Sequence, residues 1–189
     1  EDISVNEIAR LMVGRRVDMS KREKDTRTIT GENILEIENL KVNMPGEIVR
    51  NLNLNVRKGE ILGIGGLAGQ GKVGIANGIM GTYESSGTIT KDGKELTLNN
   101  PRESLNSSIA FLSEDRRGVG LLLDHSIEFN IAFSSIEVHE NFLNKIGPFK
   151  LMDNKKIREH ANTMIEELDI RCTSPSQHTR HLSGGNQQK

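Results

Sequence analysis

The sequence predicts an α/β fold with a helical appendage, and three observations predict it. Glu60-Ile-Leu-Gly-Ile64 is a short apolar run that passes through the glycine-rich Gly66-Leu-Ala-Gly-Gln-Gly71-Lys72-Val73 into a helical stretch. That is the pattern of a buried parallel strand feeding a loop and a helix. Leu52-Asn-Leu54-Asn-Val56 alternates strictly, as a half-buried strand must when successive side chains point to opposite faces. Ile157, Ala161, Met164, Ile165 and Leu168 recur at helical spacing behind Asp153, whose carboxylate suits an N-cap.

Composition narrows the class. With 189 residues the chain has room for one ordinary domain and not for two complete ones. Twenty-five basic residues balance 26 acidic ones, for a net charge of −1, so no nucleic-acid surface is expected. Aromatics make up only 3% and Trp is absent; the core must be built from Ile, Leu, Val and Met. A lone cysteine, Cys172, cannot form an internal disulfide and fits a reducing compartment. No segment approaches the ~18 apolar residues of a membrane span, and the polar start, Glu rather than Met, suggests a processed or excised piece.

Ser4-Val-Asn-Glu7 reads as a capping box, with Val5, Ile8, Leu11 and Met12 on one face and Gly14 as the stop. That short helix has little around it and is expected to dock elsewhere. The charged stretch that follows, to Asn33, reads as a linker. Leu35, Ile37, Leu40 and Val42 predict a strand with one irregularity, then a turn at Met44-Pro45-Gly46 and the alternating strand Leu52–Val56. Lys58-Gly59 turns the chain into the apolar run Glu60–Ile64. Residues 73–80 should be helical, although Gly74 and Gly78 are poor helix formers. Thr88–Thr90 and Glu95–Leu98 predict a hairpin around Lys91–Lys94; Pro101 opens a short helix, and Ile109-Ala-Phe-Leu112 predicts another buried strand before a polar loop from Ser113.

The chemistry concentrates at two places. Gly66, Leu67, Ala68, Gly69, Gln70, Gly71, Lys72 and Val73 fit G-x-x-x-x-G-K-[S/T] except at the last position. Glycines let several N–H groups turn toward one anion, Lys72 can reach outer phosphates, and the helix adds its N-terminal dipole. Val73 brings no hydroxyl to Mg2+. The overlapping Gly63-Ile-Gly65-Gly-Leu-Ala68, with Glu84 about 20 residues on, also fits a dinucleotide fingerprint, but that reading leaves Lys72 unexplained. At the far end, Leu182-Ser-Gly-Gly-Asn-Gln-Gln-Lys189 supplies a second possible anion site: Ser183 can cap, and Gly184 and Gly185 let amides approach phosphate oxygens.

This LSGGNQQK sequence resembles the signature of ABC-type ATPases, in the form found in the ATP-binding subunits of ribose-, galactose- and xylose-type importers. Subunits serving nucleoside importers match as well. Glu7–Arg15, Leu35–Val42, Gly59–Gly63 and Ser113-Glu-Asp-Arg-Arg117 agree with that family in order and spacing. The resemblance implies a P-loop NTPase fold with an antiparallel β subdomain and a helical subdomain at about 121–180, stopping just after the signature. Residues 1–16 would be the tail of a preceding nucleotide-binding domain, 17–33 a linker, and 34–189 most of a second domain.

Several roles follow from the resemblance. Gly66–Val73 would hold the ATP phosphates, with Mg2+ weakened by Val73. Ser183, Gly184, Gly185 and Asn186 would serve ATP held on the first nucleotide-binding domain or a second copy. Glu114 stands where the family carries its Q-loop glutamine. The expected partners are transmembrane permease subunits, at the cytoplasmic face of the membrane. The parent would be a transport-coupled ATPase, and this piece inactive alone, because the Walker B aspartate, catalytic glutamate and switch histidine are absent. The adenine-stacking aromatic expected near Val42–Pro45 is also missing, and Tyr83 lies well along the chain from it. Val73, Glu114 and that missing ring together suggest a regulatory rather than hydrolysing site.

The remaining candidates read as structural. His125, His139, His160, His178 and His181 lack metal-ligand spacing, Cys172 has no evident partner, and Glu166, Glu167 and Asp169 suit a solvated face. No metal site is expected within the chain itself.

Overall fold

The computed structural model describes Glu7, Ile8, Leu11, Ile29 and residues 31–189. Ser4, Val5, Met12 and Gly14, which carry most of the expected capping-box helix, and nearly all of the expected linker lie outside those residues. Glu7, Ile8 and Leu11 are helical, with Ile8 and Leu11 exposed.

A four-stranded antiparallel sheet forms the first half. Strands β1 (Asn33–Val42), β2 (Val49–Arg57), β3 (Ser85–Lys91) and β4 (Lys94–Glu95) lie in the order β2-β1-β3-β4. The irregularity expected in β1 is real. Leu35 and Ile37 stay in step with their neighbours, the register then shifts before Leu40, and Asn39 adopts φ 52°. One extra residue there keeps Leu40 and Val42 on the same face as Ile37, and the Asn39 N–H donates to Asn53 Oδ1 at 2.8 Å. Ile37, Leu40, Val42, Val49, Ile89 and Leu96 bury together with Ile75 of helix α1 (Lys72–Met80), which rests on the sheet. The aliphatic core that the composition demanded is this cluster. Helix α2 (Pro101–Asn106) is capped by Asn100, and its Ser104 hydroxyl donates to the Ile79 carbonyl at 2.8 Å, tying it to α1.

Two expected strands are corrected. Neither Glu60–Ile64 nor Ile109–Leu112 is a strand; among the described residues both run without a ladder partner, with Ile61 76% and Leu112 90% exposed. An apolar run signals a preference for burial, but a strand exists only where another strand completes its hydrogen bonds. Glu60 instead closes the turn after β2, its carboxylate accepting from the Arg57 N–H at 2.8 Å.

The second half is helical, with α3 (Ile127–His139) against α4 (Asn154–Glu167). Ala132 and Ala161 are fully buried, small enough for close approach, and Arg158 grips Glu128 through two hydrogen bonds of 2.9 and 3.0 Å. Asp153 is the N-cap of α4 as expected, accepting from the Lys156 N–H, a bond that holds its carboxyl below the usual range. Leu168, expected on the apolar face, is the C-cap and is exposed. Sequence reading missed the hairpin between these helices, β5 (Leu143–Ile146) and β6 (Phe149–Met152), because its side chains are almost all exposed and leave no alternating pattern. His125 stacks on Phe129 and His160 on Phe142, the packing roles expected of them.

Asn130 joins this half to the segment before the signature. Its Oδ1 accepts from the Leu122 N–H at 2.8 Å, and its amide donates toward Leu122 O, Ser126 O and Thr179 Oγ1, each at 3.0 Å. Removing that side chain breaks all four of these bonds at once. Asn130→Ala is expected to cost about 2–3 kcal/mol and to lower the melting temperature by roughly 5–10 °C, measured by scanning calorimetry. An unchanged melt would show that the network is not stabilising.

Candidate functional site

The glycine-rich loop enters α1 with the backbone its residues demand. Gly69 and Gly71 sit at φ 79° and 88°, and Gly71 is the residue immediately before the helix, a conformation that costs side-chain-bearing residues about 1–2 kcal/mol. A Cβ at Gly71 would lie 2.9 Å from the Ile48 carbonyl oxygen and one at Gly69 3.3 Å from that of Gly46. The loop is thus seated against the β1–β2 turn. Between them lies a cleft of about 540 Å³, lined by Gly46, Ile48, Asn51, Gly69, Gln70 and Gly71 among others.

Within the loop, the Leu67 N–H donates to Gln70 Oε1 at 3.1 Å and Lys72 Nζ donates to the Leu67 carbonyl at 2.5 Å. The ammonium is folded back over an exposed loop, within reach of any anion bound there. One residue that sequence reading overlooked reaches in from the turn. Glu47 Oε1 accepts from the Gly69 N–H at 2.7 Å, while its Oε2 is sealed from solvent with no hydrogen-bond partner. The Gly69 hydrogen bond holds the carboxyl below its ordinary range; loss of solvent opposes this, and the Gly71 and Val73 amides and the Lys72 charge reinforce it. A carboxylate is therefore lodged where amides converge. No local pattern could have found it, because Glu47 precedes Gly69 by 22 residues.

Val73 presents no side-chain oxygen, and among the described residues no group of three or more His, Cys, Asp or Glu could hold a metal. The residues present do not fit a Mg2+ site.

The signature segment lies apart from the loop. Ser183 is the N-cap of the short helix α5 (Gly184–Gln187), accepting from the Asn186 N–H. Ser183, Gly184 and Gly185 are exposed, and a Cβ on Gly185 would meet only open space. Asn186 differs: its Oδ1 accepts from the Arg171 N–H and its amide donates to Ser183 Oγ, both at 3.0 Å, so its side chain serves the fold. Gln187 is buried and donates to the Thr179 carbonyl at 3.1 Å, which links α5 to the Asn130 network.

Glu114 is exposed in the preceding loop and shares a cavity of about 330 Å³ with Arg116, Gln187 and Gln188. Arg116 Nη1 donates to the Gly184 carbonyl at 2.7 Å. Asp115 of the same charged stretch also has a structural partner, its Oδ1 accepting from the Gly118 N–H at 2.9 Å. The structure brings Glu114 and the signature to one cavity, and it joins neither to Gly66–Val73 by any hydrogen bond among the described residues. Tyr83 is nearer the Val42–Pro45 stretch than sequence distance implies, since the Asn43 N–H donates to the Glu84 carbonyl at 2.9 Å. It lies beyond the C-terminal end of α1, opposite the end that carries the glycine-rich loop.

The family described as ABC transporter matches residues 49–189. Over its whole length the chain is 34% identical to the ribose import ATP-binding protein RbsA of Caldanaerobacter subterraneus subsp. tengcongensis, covering 36% of that protein. It is 33% identical to the xylose import ATP-binding protein XylG of Thermoanaerobacter pseudethanolicus, covering 37% of that protein. Over 98% of its length it is 38% identical to the galactose/methyl galactoside import ATP-binding protein MglA of Treponema denticola, covering 36% of that protein. The chain spans about a third of the length of these curated relatives.

Proposed function

The chain belongs to the ABC transporter family, an α/β P-loop NTPase fold, and from that premise we propose that it works as an ATP-binding module of an importer for a sugar or related small solute. Residues 1–16 close a preceding nucleotide-binding domain, 17–33 link, and 34–189 form most of a second. The loop Gly66–Lys72 holds the ATP phosphates through backbone amides and the Lys72 ammonium. Ser183, Gly184 and Gly185 face ATP held elsewhere, by the first domain or a second copy. Their exposure, with Gly185 open to an incoming group, supports that arrangement.

The observation that carries the reading is that a loop amide, the Gly69 N–H, holds an anionic oxygen at 2.7 Å. A loop that cradles one anion in this way has the chemistry to cradle a phosphate. Arg116, bonded to the Gly184 carbonyl, positions the signature relative to the Glu114 loop, through which closure of two such domains would pass to permease subunits at the cytoplasmic face of a membrane. Among the described residues no helix is long and apolar enough to cross a membrane, and attachment would run through those partners. Hydrolysis belongs to the longer protein, since the residues described here provide no metal site.

Calorimetric titration with ATP tests the reading, with NADH as control. ATP is expected to bind equally well with and without Mg2+, because Val73 adds no ligand to the ion. Binding of NADH in place of ATP would favour the dinucleotide fingerprint instead. Absence of ATP binding, in the chain and also once the Glu47 charge is removed, would remove the phosphate site. The same Val73 favours a second reading, in which this site binds nucleotide as a regulatory element and does not turn it over.

A further inference from the structure

Building on the phosphate-site reading above, we propose that Glu47 is a resident competitor of that site: its carboxylate occupies the loop in place of phosphate, and any polyphosphate must displace it. Glu47 then sets the affinity at which the loop accepts a ligand.

Four observations converge on this. Glu47 Oε1 takes the Gly69 N–H at 2.7 Å, the short distance of a charge-assisted bond. The carboxylate is held by backbone N–H, as a phosphate oxygen would be; Lys72 forms no ion pair with it and instead donates to the Leu67 carbonyl. Its second oxygen is sealed and without a partner, an arrangement that costs free energy and that a purely structural carboxylate would have no reason to keep. Finally, the turn that carries Glu47 is pressed against the loop and α1 by the glycines at 69, 71 and 74, so the side chain is aimed at the loop by the fold itself.

The exchange follows from donor and acceptor numbers. One carboxylate satisfies one amide well and leaves Oε2 idle. A triphosphate brings more charge and more acceptor oxygens, enough for the amides of Gly69 and Gly71 and for the Lys72 ammonium together. Displaced, Glu47 regains water at both oxygens. The competition lowers affinity alike for every anion that needs the Gly69 amide, so weak single-phosphate ligands are excluded first.

The test compares the 189-residue chain with Glu47→Gln and Glu47→Asp, each titrated with sodium tripolyphosphate and with ATP. Glu47→Gln removes the charge and is expected to bind about tenfold tighter. Glu47→Asp keeps the charge but withdraws it from Gly69, and tightening there too distinguishes release of the amide from a general loss of negative charge. Binding by the variants where the parent shows none would be the strongest support. Equal, measurable affinity in all three proteins would overturn the proposal while leaving the phosphate site intact, as would weaker binding by Glu47→Gln. Binding by none of them would overturn both. If Glu47→Gln does not fold, the Asp variant decides alone, with the Gly69 amide resonance following the departure of the carboxylate on addition of tripolyphosphate.

Discussion

Lys72→Ala is expected to weaken ATP binding by roughly 10- to 100-fold, the loss of a charged hydrogen bond worth about 1.5–3 kcal/mol. Among the described residues Lys72 Nζ donates only to the carbonyl of exposed Leu67, so its removal leaves no buried group unsatisfied. Stability should change by less than about 0.5 kcal/mol, as for a surface substitution. That separation makes the variant informative: calorimetry should report the lost affinity while the thermal melt stays in place. If ATP bound the variant as tightly as the parent, the phosphates would have to sit elsewhere. In the two-domain protein proposed above the same change also tests the regulatory reading. Transport-coupled hydrolysis should fall only in part; abolition as complete as that from the equivalent change in the first domain would exclude it.

Gly74→Ala is expected to destabilise the chain by about 3 kcal/mol and lower its melting temperature by roughly 6–12 °C. Two effects oppose each other here. Helix propensity alone favours Ala over Gly by about 1 kcal/mol, and on that basis the substitution would stabilise α1. The packing decides otherwise. A Cβ on Gly74 would lie 2.1 Å from the Glu47 carbonyl oxygen and 3.1 Å from Val49 Cγ2. The first is backbone and cannot rotate away, so α1 must lift from the start of β2, carrying Gly71 and Lys72 with it. ATP affinity should fall as well. A melt at or above that of the parent would mean that the helix tolerates the shift and that the close approach is not required. Gly78, whose Cβ would meet Val42 Cγ2 at 2.3 Å, guards the close approach of α1 to β1 one turn on.

Those glycines show what sequence reading can and cannot supply. By propensity they are defects in a helix; in the fold they are the reason that α1 lies close enough to the β1–β2 turn for Glu47 to reach Gly69. Signals carried within a few residues were legible. The G-x-x-x-x-G-K spacing, the caps at Asp153 and Ser183, and the skipped residue between Ile37 and Leu40 each express a geometry closed over one turn of backbone. Signals that depend on a distant partner were not. Glu60–Ile64 and Ile109–Leu112 have the apolar texture of central strands, yet among the described residues no strand pairs with them. Exposed β5–β6 had no pattern at all, and the Arg116 bond to Gly184 spans 68 residues.

The sequence by itself determined that the chain is an aliphatic-cored α/β protein with a glycine-rich loop leading into a helix and a Ser-capped Gly-Gly turn before Asn186, because turn, cap and anion-cradle geometries depend on residues adjacent in the chain. Only the tertiary structure decided what fills the loop and what steadies the signature. Glu47 comes to Gly69, and Asn130 and Gln187 come to Thr179, through the packing of α1 on the sheet and of α3 on the segment before α5. Such contacts arise from burial shared across distant segments, and their partners are named only when the chain has folded.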